Sequence, residues 1–233
     1  MDGNGRWAER RGLPRLEGHR RGARSVDAVV TAARELGLEV LTLFAFSSEN
    51  WGRPPDEVAG LMELLATYLN QERRRLVDNG IRLNPIGDLV RLPGPVRAML
   101  DEVVAESADR DEMVLNVALS YGGREEIVRA ARALAGEVAA GRLDADAIDE
   151  AAFTARLFTA GQPDPDLVIR TSGEQRLSNF LLWQIAYAEI YVTRTLWPDF
   201  RRRHLVRALQ AFAGRERRYG LIGESAQKAS GHG

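Results

Sequence analysis

The first residues of the sequence combine side chains that bind phosphate groups and divalent cations. The run is uninterrupted: Asp2, Gly3, Asn4, Gly5, Arg6 and Trp7. Glycines let backbone N–H groups approach an anion closely, and a guanidinium such as that of Arg6 matches the geometry of phosphate oxygens. The carboxylate of Asp2 could hold a Mg2+ ion that bridges those oxygens. The alternative is a simple Asn-Gly turn, because glycine-rich turns are common.

A second polar run follows the apolar segment 40–46. It contains hydroxyls, an acid, an amide, an indole and a guanidinium, and it ends at a proline: Ser47, Ser48, Glu49, Asn50, Trp51, Gly52, Arg53 and Pro54. Such a mixture at the end of a strand is typical of loops that carry function. In the alternative interpretation, one serine caps a helix and the tryptophan fills the core.

Two arginines lie six residues apart on a third run, 170–179, directly after the apolar segment 167–169. Arg170 and Arg176 are interleaved with hydroxyls, among them that of Ser178, and such an arrangement can form a phosphate clamp. Small uncharged residues surround both arginines, which leaves few local carboxylates to pair with them. The alternative is ordinary solvated loop charge.

Two isolated residues also have chemical potential. His19 is the only histidine inside an ordered motif, Glu17-Gly18-His19-Arg20, although a lone histidine is more often structural than catalytic. Glu189 lies in an otherwise apolar stretch, where an unpaired carboxylate would be costly. We therefore expect a metal ion or an arginine beside Glu189.

The composition excludes several classes of function. The chain has 233 residues, of which 45% are hydrophobic and 28% charged, and its formal net charge is -1, which argues against a general nucleic-acid binder. It has no cysteine, so thiolate catalysis and Cys-based zinc sites are excluded. No apolar run approaches the roughly 20 residues of a membrane span, and no signal peptide is visible. These features predict a cytoplasmic protein, and they are compatible with a substrate at a membrane.

Helices and strands alternate along the chain. Apolar periodicity and capping residues predict helices over 24–36, between Pro54 and Gly80, and over 95–107, 125–140, 148–158 and 203–213. Short apolar runs predict strands over 40–46, 81–86, 113–119, 167–169 and 190–192. This order predicts an α/β fold with a parallel sheet covered on both faces and a ligand site beyond the carboxyl ends of the strands.

Several motifs together resemble the cis-prenyltransferase family, and within it the bacterial undecaprenyl diphosphate synthases. The motifs are MDGNGRWA (1–8), FSSENWGRP (46–54), YGGREEI (121–127), RTSGEQRLSNFLLWQ (170–184), and YAEIY with LWPDF (187–200). They occur in family-like order and spacing up to about Gly220. The sequence contains no Asp-Asp-x-x-Asp motif, which speaks against the trans-prenyl synthases.

The resemblance implies a fold and a reaction. It implies a homodimer of single catalytic domains (1–222), each with a central, mainly parallel six-stranded sheet flanked by helices and a hydrophobic tunnel. Relatives carry an apolar strand before the Met-Asp-Gly-Asn run, so we expect the first strand to be missing from this sequence. The composition of residues 223–233 predicts a disordered tail. The implied reaction extends farnesyl diphosphate with isopentenyl diphosphate units to a long-chain polyprenyl diphosphate.

The resemblance also implies roles for individual residues. Asp2 and Glu189 would bind Mg2+. The diphosphate of the primer would be surrounded by Gly3, Asn4, Gly5, Arg6, Trp7, Arg15 and His19. Isopentenyl diphosphate would be held by Arg170, Arg176 and Ser178. A mobile loop that closes over both substrates would contain Ser47, Glu49, Asn50, Trp51 and Arg53. An Asn50–Ser47 relay and the diphosphate itself are both open as acceptors of the proton that the reaction releases.

Three other functions stay open on the sequence alone. A sibling enzyme could stop at a shorter chain or join two small allylic units irregularly. A non-catalytic prenyltransferase-like subunit is disfavoured, because the metal and diphosphate residues are present. An α/β module that binds phosphate for another purpose is possible, but no Gly-x-x-x-x-Gly-Lys-Ser/Thr loop supports nucleotide binding. Tunnel residues are expected among Leu41, Leu43, Phe44, Leu61, Met62, Leu65, Met113, Leu115 and Val117, although plain core positions are the expectation for most of them.

Overall fold

The computed structural model describes residues 1–215, in which helices and strands alternate as the sequence predicts. The strands are β1 (Val40–Ser47), β2 (Ile81–Ile86), β3 (Met113–Tyr121), β4 (Leu167–Arg170) and β5 (Glu189–Val192). The helices are α1 (Asn4–Glu9), α2 (Arg15–Glu35), α3 (Pro55–Asp78), α4 (Gly94–Ser107), α5 (Gly123–Ala139), α6 (Glu150–Thr154) and α7 (Arg202–Ala213). The predicted domain end at 222 and the predicted tail 223–233 lie outside the described residues.

Three parallel strands in the order β1-β3-β2 form the larger sheet. Thr42, Asn116 and Asn84 lie side by side across it. The amide of Asn116 donates to the Thr42 hydroxyl at 3.1 Å, and the amide of Asn84 donates to the Asn116 carbonyl oxygen at 2.7 Å. Because a shift of one residue would turn these polar groups to the other face, the row fixes the register of the sheet.

The β4 and β5 strands pair in parallel as a separate two-stranded sheet. A cavity of 830 Å³ lies between the two sheets and is lined by residues of both β1 and β4. The backbones of these two strands do not pair across it. The expectation of one six-stranded sheet is therefore corrected to two parallel sheets, of three and two strands, within residues 1–215. The parallel α/β architecture is confirmed.

The amino-terminal region is helical over more of its length than the sequence predicted. Helix α1 begins at Asn4 and includes Gly5, with Gly3 directly before it, and α2 begins at Arg15 rather than at Arg24. The two helices cross closely, because a Cβ atom on Gly18 would lie only 2.0 Å from the backbone oxygen of Asn4. Packing between the two helices therefore outweighs the low helix propensity of glycine.

The predicted helix over 148–158 is shorter than expected. Helix α6 covers only Glu150–Thr154. Asp149 begins it, because its carboxylate accepts the N–H of Ala152 at 2.7 Å. An aspartate that caps a helix in this way has non-helical backbone angles itself, so residue 148 before it cannot join the helix.

Helices α2, α3, α4 and α7 pack on the larger sheet around one apolar core. Representative members, all almost completely buried, are Val30 of α2, Leu76 of α3, Leu100 of α4, Leu115 of β3 and Leu205 of α7. This core holds the end of β1 and the start of α3 in place, and the second polar run, 47–54, lies between them.

Candidate active site

A second cavity, of 380 Å³, opens at the carboxyl ends of β1 and β4. Its mouth is polar and gathers predicted residues from all three runs: Asp2, Gly3, Asn4, Gly5, Arg6, Arg15, His19, Ser47, Asn50, Arg53, Arg170 and Ser178. Its floor is apolar and includes Val26, Leu43, Phe44, Leu61, Met62, Leu65, Leu115 and Val117. Of the expected tunnel or core positions, all but Leu41 and Met113 line this cavity.

Asp2 is fixed by its backbone to the loop after β4. Its N–H donates to the Thr171 hydroxyl at 2.9 Å, and its carbonyl oxygen accepts from the Thr171 and Ser172 hydroxyls at 3.0 and 2.7 Å. The next residue, Gly3, has a φ of 104°, and a Cβ atom there would lie 2.2 Å from the Ser172 Oγ atom. Only glycine permits both this backbone angle and this close approach to Ser172.

The Asp2 carboxylate joins the first polar run to the third. One oxygen lies 3.2 Å from Arg170 and the other 3.5 Å from Arg6. Arg170 also donates to the Ser178 hydroxyl at 3.2 Å, and its side chain is only 17% exposed. Its Nε atom is buried and has no hydrogen-bond partner among the described residues. A buried guanidinium with an unused donor is suited to an anion.

Glu174 is a site residue that the sequence interpretation missed. It bridges Arg6, at 2.9 Å, and Arg176, at 2.5 Å. The expectation that the arginines of this run lack carboxylates is therefore wrong, because Glu174 and Asp2 pair with them. The signal was available, since Glu174 precedes Arg176 by two residues. Arg176 itself lines the larger cavity and not the smaller one.

A second group of cations lies on the other side of the mouth. Arg53 pairs with Glu57 at 2.9 Å, and Arg15 lies 3.9 Å from the same carboxylate. Burial and then the charge of Arg53 lower the pKa of His19 to about 4, with Arg15 adding to this effect and Glu57 opposing it. His19 is therefore neutral near pH 7. Sequence reasoning missed Glu57, although an Arg–Glu pair four residues apart at a helix start signals this contact.

The predicted Asn50–Ser47 relay takes a different form. The Asn50 side-chain oxygen accepts the backbone N–H of Ser47 at 3.1 Å. The two side chains both line the cavity, but the contact between the residues runs through the backbone of Ser47 and not through its hydroxyl.

Comparison with known proteins identifies the family to which this cavity belongs. A family model described as "Putative undecaprenyl diphosphate synthase" matches residues 1–220. The chain belongs to this prenyltransferase family. It is 52% identical over 222 residues to an isoprenyl transferase of Heliobacterium mobile, covering 95% of this chain and 85% of the relative. It is also 52% identical over 221 residues to the ditrans,polycis-undecaprenyl-diphosphate synthase ((2E,6E)-farnesyl-diphosphate specific) of Xanthomonas axonopodis pv. citri, covering 95% and 86%.

A solved structure shares the fold closely. The lavandulyl diphosphate synthase from Lavandula x intermedia, in complex with dimethylallyl diphosphate, matches with a TM-score of 0.92 at 39% identity, over 94% of this chain and 95% of that chain.

The two tryptophans predicted to bind substrate, Trp7 and Trp51, are not part of the lining of the smaller cavity. The Trp7 indole donates to Asp199 at 2.9 Å and lies under the guanidinium of Arg11. Trp51 donates to the Ser120 hydroxyl at 2.9 Å and packs on Phe46, as the core-filling alternative predicted. The roles of both in substrate binding stay predictions.

Glu49 and Glu189 are also outside the group at the mouth. Glu49 is exposed and accepts a hydrogen bond from Asn179 at 3.0 Å. Glu189 begins β5 opposite Leu167, three residues and about 10 Å along the strand from the level of Arg170. Arg215 donates to it at 2.7 Å, which is the arginine partner that the sequence led us to expect.

The residues at the mouth fit a Mg2+ ion that takes most of its ligands from water and substrate. The part of the chain that the structure describes contains no group of three or more acidic or histidine side chains that could hold a metal ion by themselves. Mg2+ is usually bound through one or two carboxylates, with the remaining ligands from water and substrate phosphates. The Asp2 carboxylate at the mouth therefore suits a Mg2+ ion that arrives with a diphosphate.

Proposed function

We propose that this chain elongates an allylic diphosphate, farnesyl diphosphate, by repeated cis condensation with isopentenyl diphosphate, and releases a long-chain polyprenyl diphosphate of the undecaprenyl type for a cell-wall lipid carrier. One observation carries the proposal: Asp2 pairs with Arg170 on one side and Arg6 on the other, at the mouth of a cavity that Arg15 and Arg53 also line and whose floor is apolar. Two cationic groups suit two diphosphates, and the apolar floor suits a hydrocarbon chain.

The cations on the Arg53 side hold the diphosphate of the primer. Elongation breaks the allylic C–O bond, and the electron pair departs with this diphosphate. The guanidiniums of Arg6, Arg15 and Arg53 stabilise the charge that develops there, while neutral His19 donates a hydrogen bond. Asp2 would hold a Mg2+ ion, which would supply further neutralisation of the diphosphate.

The cations on the Arg170 side hold isopentenyl diphosphate. The Arg170 guanidinium and the Ser178 hydroxyl beside it form the inner part of this site. Arg176 contacts Glu174 through one nitrogen, so its other N–H groups are available to the diphosphate. The new C–C bond forms between the two prenyl units, and one proton then leaves the condensed unit.

The diphosphate is the better candidate for the proton acceptor. The side-chain oxygen of Asn50 is already used by the backbone of Ser47, so a relay through these side chains would first have to rearrange. We expect Asn50→Ala to retain turnover within about fivefold of the parent at saturating substrate, because no proton passes through it. A drop of about a hundredfold or more in kcat would favour the relay instead.

The chain acts as a homodimer in this proposal. The side chain of Tyr187, two residues before the outer strand β5, is 81% exposed, and it suits a contact with a second copy of the chain.

No described helix combines the length and apolarity that crossing a bilayer needs. In this proposal the enzyme works in the cytoplasm, with transient contact at the inner membrane face when the apolar product partitions into lipid.

The decisive experiment incubates the chain with farnesyl diphosphate, labelled isopentenyl diphosphate and Mg2+, and sizes the products. Incorporation into long chains that stops when the metal is chelated is the expected result. No incorporation by the intact chain would overturn the proposal.

A second candidate is a short-chain or irregular prenyl diphosphate synthase. The structural similarity to lavandulyl diphosphate synthase, at a TM-score of 0.92, favours it. A parallel incubation with dimethylallyl diphosphate, alone and with isopentenyl diphosphate, tests it. Products limited to one or two units beyond the starting allyl group would establish this candidate in place of the first.

A further inference from the structure

Asn179 uses all of its side-chain polar groups to connect three segments of the molecule. It directly follows Ser178 and has a φ of 59°, in the left-handed region where asparagine is tolerated. Its side-chain oxygen and backbone oxygen face α5, and its amide nitrogen faces two carboxylates.

The oxygens of Asn179 cap helix α5 from a distant part of the chain. The N–H of Gly123 donates to its backbone oxygen at 2.7 Å, and the N–H of Arg124 donates to its side-chain oxygen at 2.8 Å. The residue before the helix, Gly122, has no side chain that could do this. Asn179 therefore satisfies two of the free N–H groups that every helix start leaves.

The pair of glycines in YGGREEI creates the space for this contact. A Cβ atom on Gly122 would lie 2.7 Å from the amide nitrogen of Asn179 and 2.1 Å from the carboxylate of Glu125. No side chain fits there without moving Asn179. The motif is thus explained as a socket for Asn179, a role that none of the diphosphate contacts requires.

The amide nitrogen of Asn179 links this socket to the loop 47–53. It donates to Glu49 at 3.0 Å and to Glu125 at 3.1 Å. The other oxygen of Glu125 accepts from the Ser48 hydroxyl at 3.1 Å. One amide nitrogen, which has an N–H for each of them, thus bridges two carboxylates that would otherwise only repel each other.

A continuous path therefore runs between the two substrate sites. It leads from Asp2 through Arg170 to Ser178, and from the adjacent Asn179 to Glu49 in the loop that carries Asn50 and Arg53. We propose that Asn179 is a positioning residue that couples the two diphosphate sites, so that occupation of one raises the affinity of the other. The inference rests on the proposed function, because it assigns one diphosphate to each side.

The variant Asn179→Asp separates the coupling from the helix cap. Aspartate keeps the oxygen that accepts the Arg124 N–H and is itself a good capping residue, but it replaces the donor with an acceptor. We therefore expect Asn179→Asp to keep the cap and to lower the melting temperature only through repulsion from Glu49 and Glu125, whereas Asn179→Ala avoids this repulsion but loses the cap. The matched control is Gln175→Glu, which adds the same charge to the same loop at a position with no side-chain hydrogen bond in the described residues.

The coupling is measured by direct binding. The probe is a farnesyl thiodiphosphate, in which sulfur replaces the bridging oxygen so that the allylic bond does not ionise, titrated with and without saturating isopentenyl diphosphate and Mg2+. The ratio of the two Kd values is the coupling factor. We expect Asn179→Asp to reduce this factor about tenfold, the usual effect of losing a hydrogen bond to a charged group, and Gln175→Glu to change it less than about twofold.

A reversed hydrogen bond provides the rescue. In Asn179→Asp combined with Glu49→Gln, the new amide donates to the new carboxylate, and we expect at least half of the lost coupling, on a logarithmic scale, to return. A coupling factor in Asn179→Asp equal to that of the parent, or a double variant no better than the single one, would overturn the inference. Failure of the proposed function would appear elsewhere, as a parent chain that incorporates no isopentenyl diphosphate.

Discussion

The two cationic groups, which Asp2 joins through its contacts with Arg6 and Arg170, are built in different ways. On the Arg53 side, His19 is held neutral by burial, and Arg53 and Arg15, 31% and 65% exposed, share the carboxylate of Glu57. On the Arg170 side, Arg170 is 17% exposed and contacts Asp2, whereas Arg176 is 63% exposed and contacts Glu174. Each side thus has a more shielded and a more exposed arginine, and the sides differ in how their charge is balanced: a neutral histidine and one shared carboxylate on the first, a separate carboxylate for each arginine on the second.

The largest effect should come from the residue that both sides share. We expect Asp2→Asn to lower kcat/KM by about a thousandfold, because it removes the carboxylate that holds Arg170 and Arg6 in place and that binds the metal ion. Steady-state kinetics with farnesyl and isopentenyl diphosphates measure this.

Asp199→Asn is the matched control for that change. Asp199 also lies beside an arginine, Arg11, at 3.8 Å, but it is outside the cavity. Its kcat/KM should stay within about twofold of the parent. Activity of Asp2→Asn above one tenth of the parent value would contradict a shared role for Asp2.

The difference between the two arginines of the loop predicts the next effect. We expect Arg170→Lys to lower kcat/KM for isopentenyl diphosphate about a hundredfold, because lysine cannot bond Asp2, Ser178 and a diphosphate in one plane. Arg176→Lys should cost about tenfold, mainly in KM, because its contacts are exposed and exchangeable. Equal losses in the two variants would remove the distinction between a buried anchor and an exposed one.

The sequence predicted those parts of the molecule that depend on local patterns. The strand over 81–86 was predicted with its observed bounds, because apolar runs between turn signals reflect burial directly. The meeting of three polar runs at one cavity followed from the rule that ligand sites lie at the carboxyl ends of parallel strands.

What the sequence did not reveal depends on contacts between distant segments. Helix α1 and the start of α2 were missed because Gly5 and Gly18 look like helix breakers, and only the crossing of the two helices explains them. Glu174 and Glu57 were missed because a carboxylate beside an arginine becomes part of a site only when the fold brings a second arginine to it. The six-stranded sheet came from the resemblance and not from the five strands that the pattern itself predicted.

The neutral state of His19 predicts that stability depends on pH. The pKa of His19 is 6.5 in the unfolded chain and about 4 in the folded one, so the unfolded state binds the extra proton between these values. Stability contributed by this group is therefore complete above pH 6.5 and is lost as the pH falls toward 4, by at most about 3 kcal/mol. Urea unfolding at a series of pH values measures it.

His19→Gln should flatten that pH dependence, because glutamine does not titrate. His204→Gln is the control, since burial also lowers the pKa of His204, and that variant retains the His19 contribution. If the stability of His19→Gln depends on pH as steeply as that of the parent, the fold does not hold His19 neutral. The contrast between the two sides would then lose its electrostatic basis.

The smallest effect should come from Trp7, which lies in the most characteristic motif yet outside the cavity. Its indole bonds Asp199 and packs under Arg11, so Trp7→Phe removes a hydrogen bond and keeps the ring. We expect about 1 kcal/mol less stability and kcat/KM within about twofold of the parent, from denaturant unfolding and steady-state kinetics. Because Asp2 is five residues earlier on the same segment, a kinetic loss larger than the loss in stability would mean that Trp7 holds α1 against the loop of Asp199 and thereby sets the position of Asp2. Trp7 would then act on the site through the position of Asp2, although it contacts neither diphosphate.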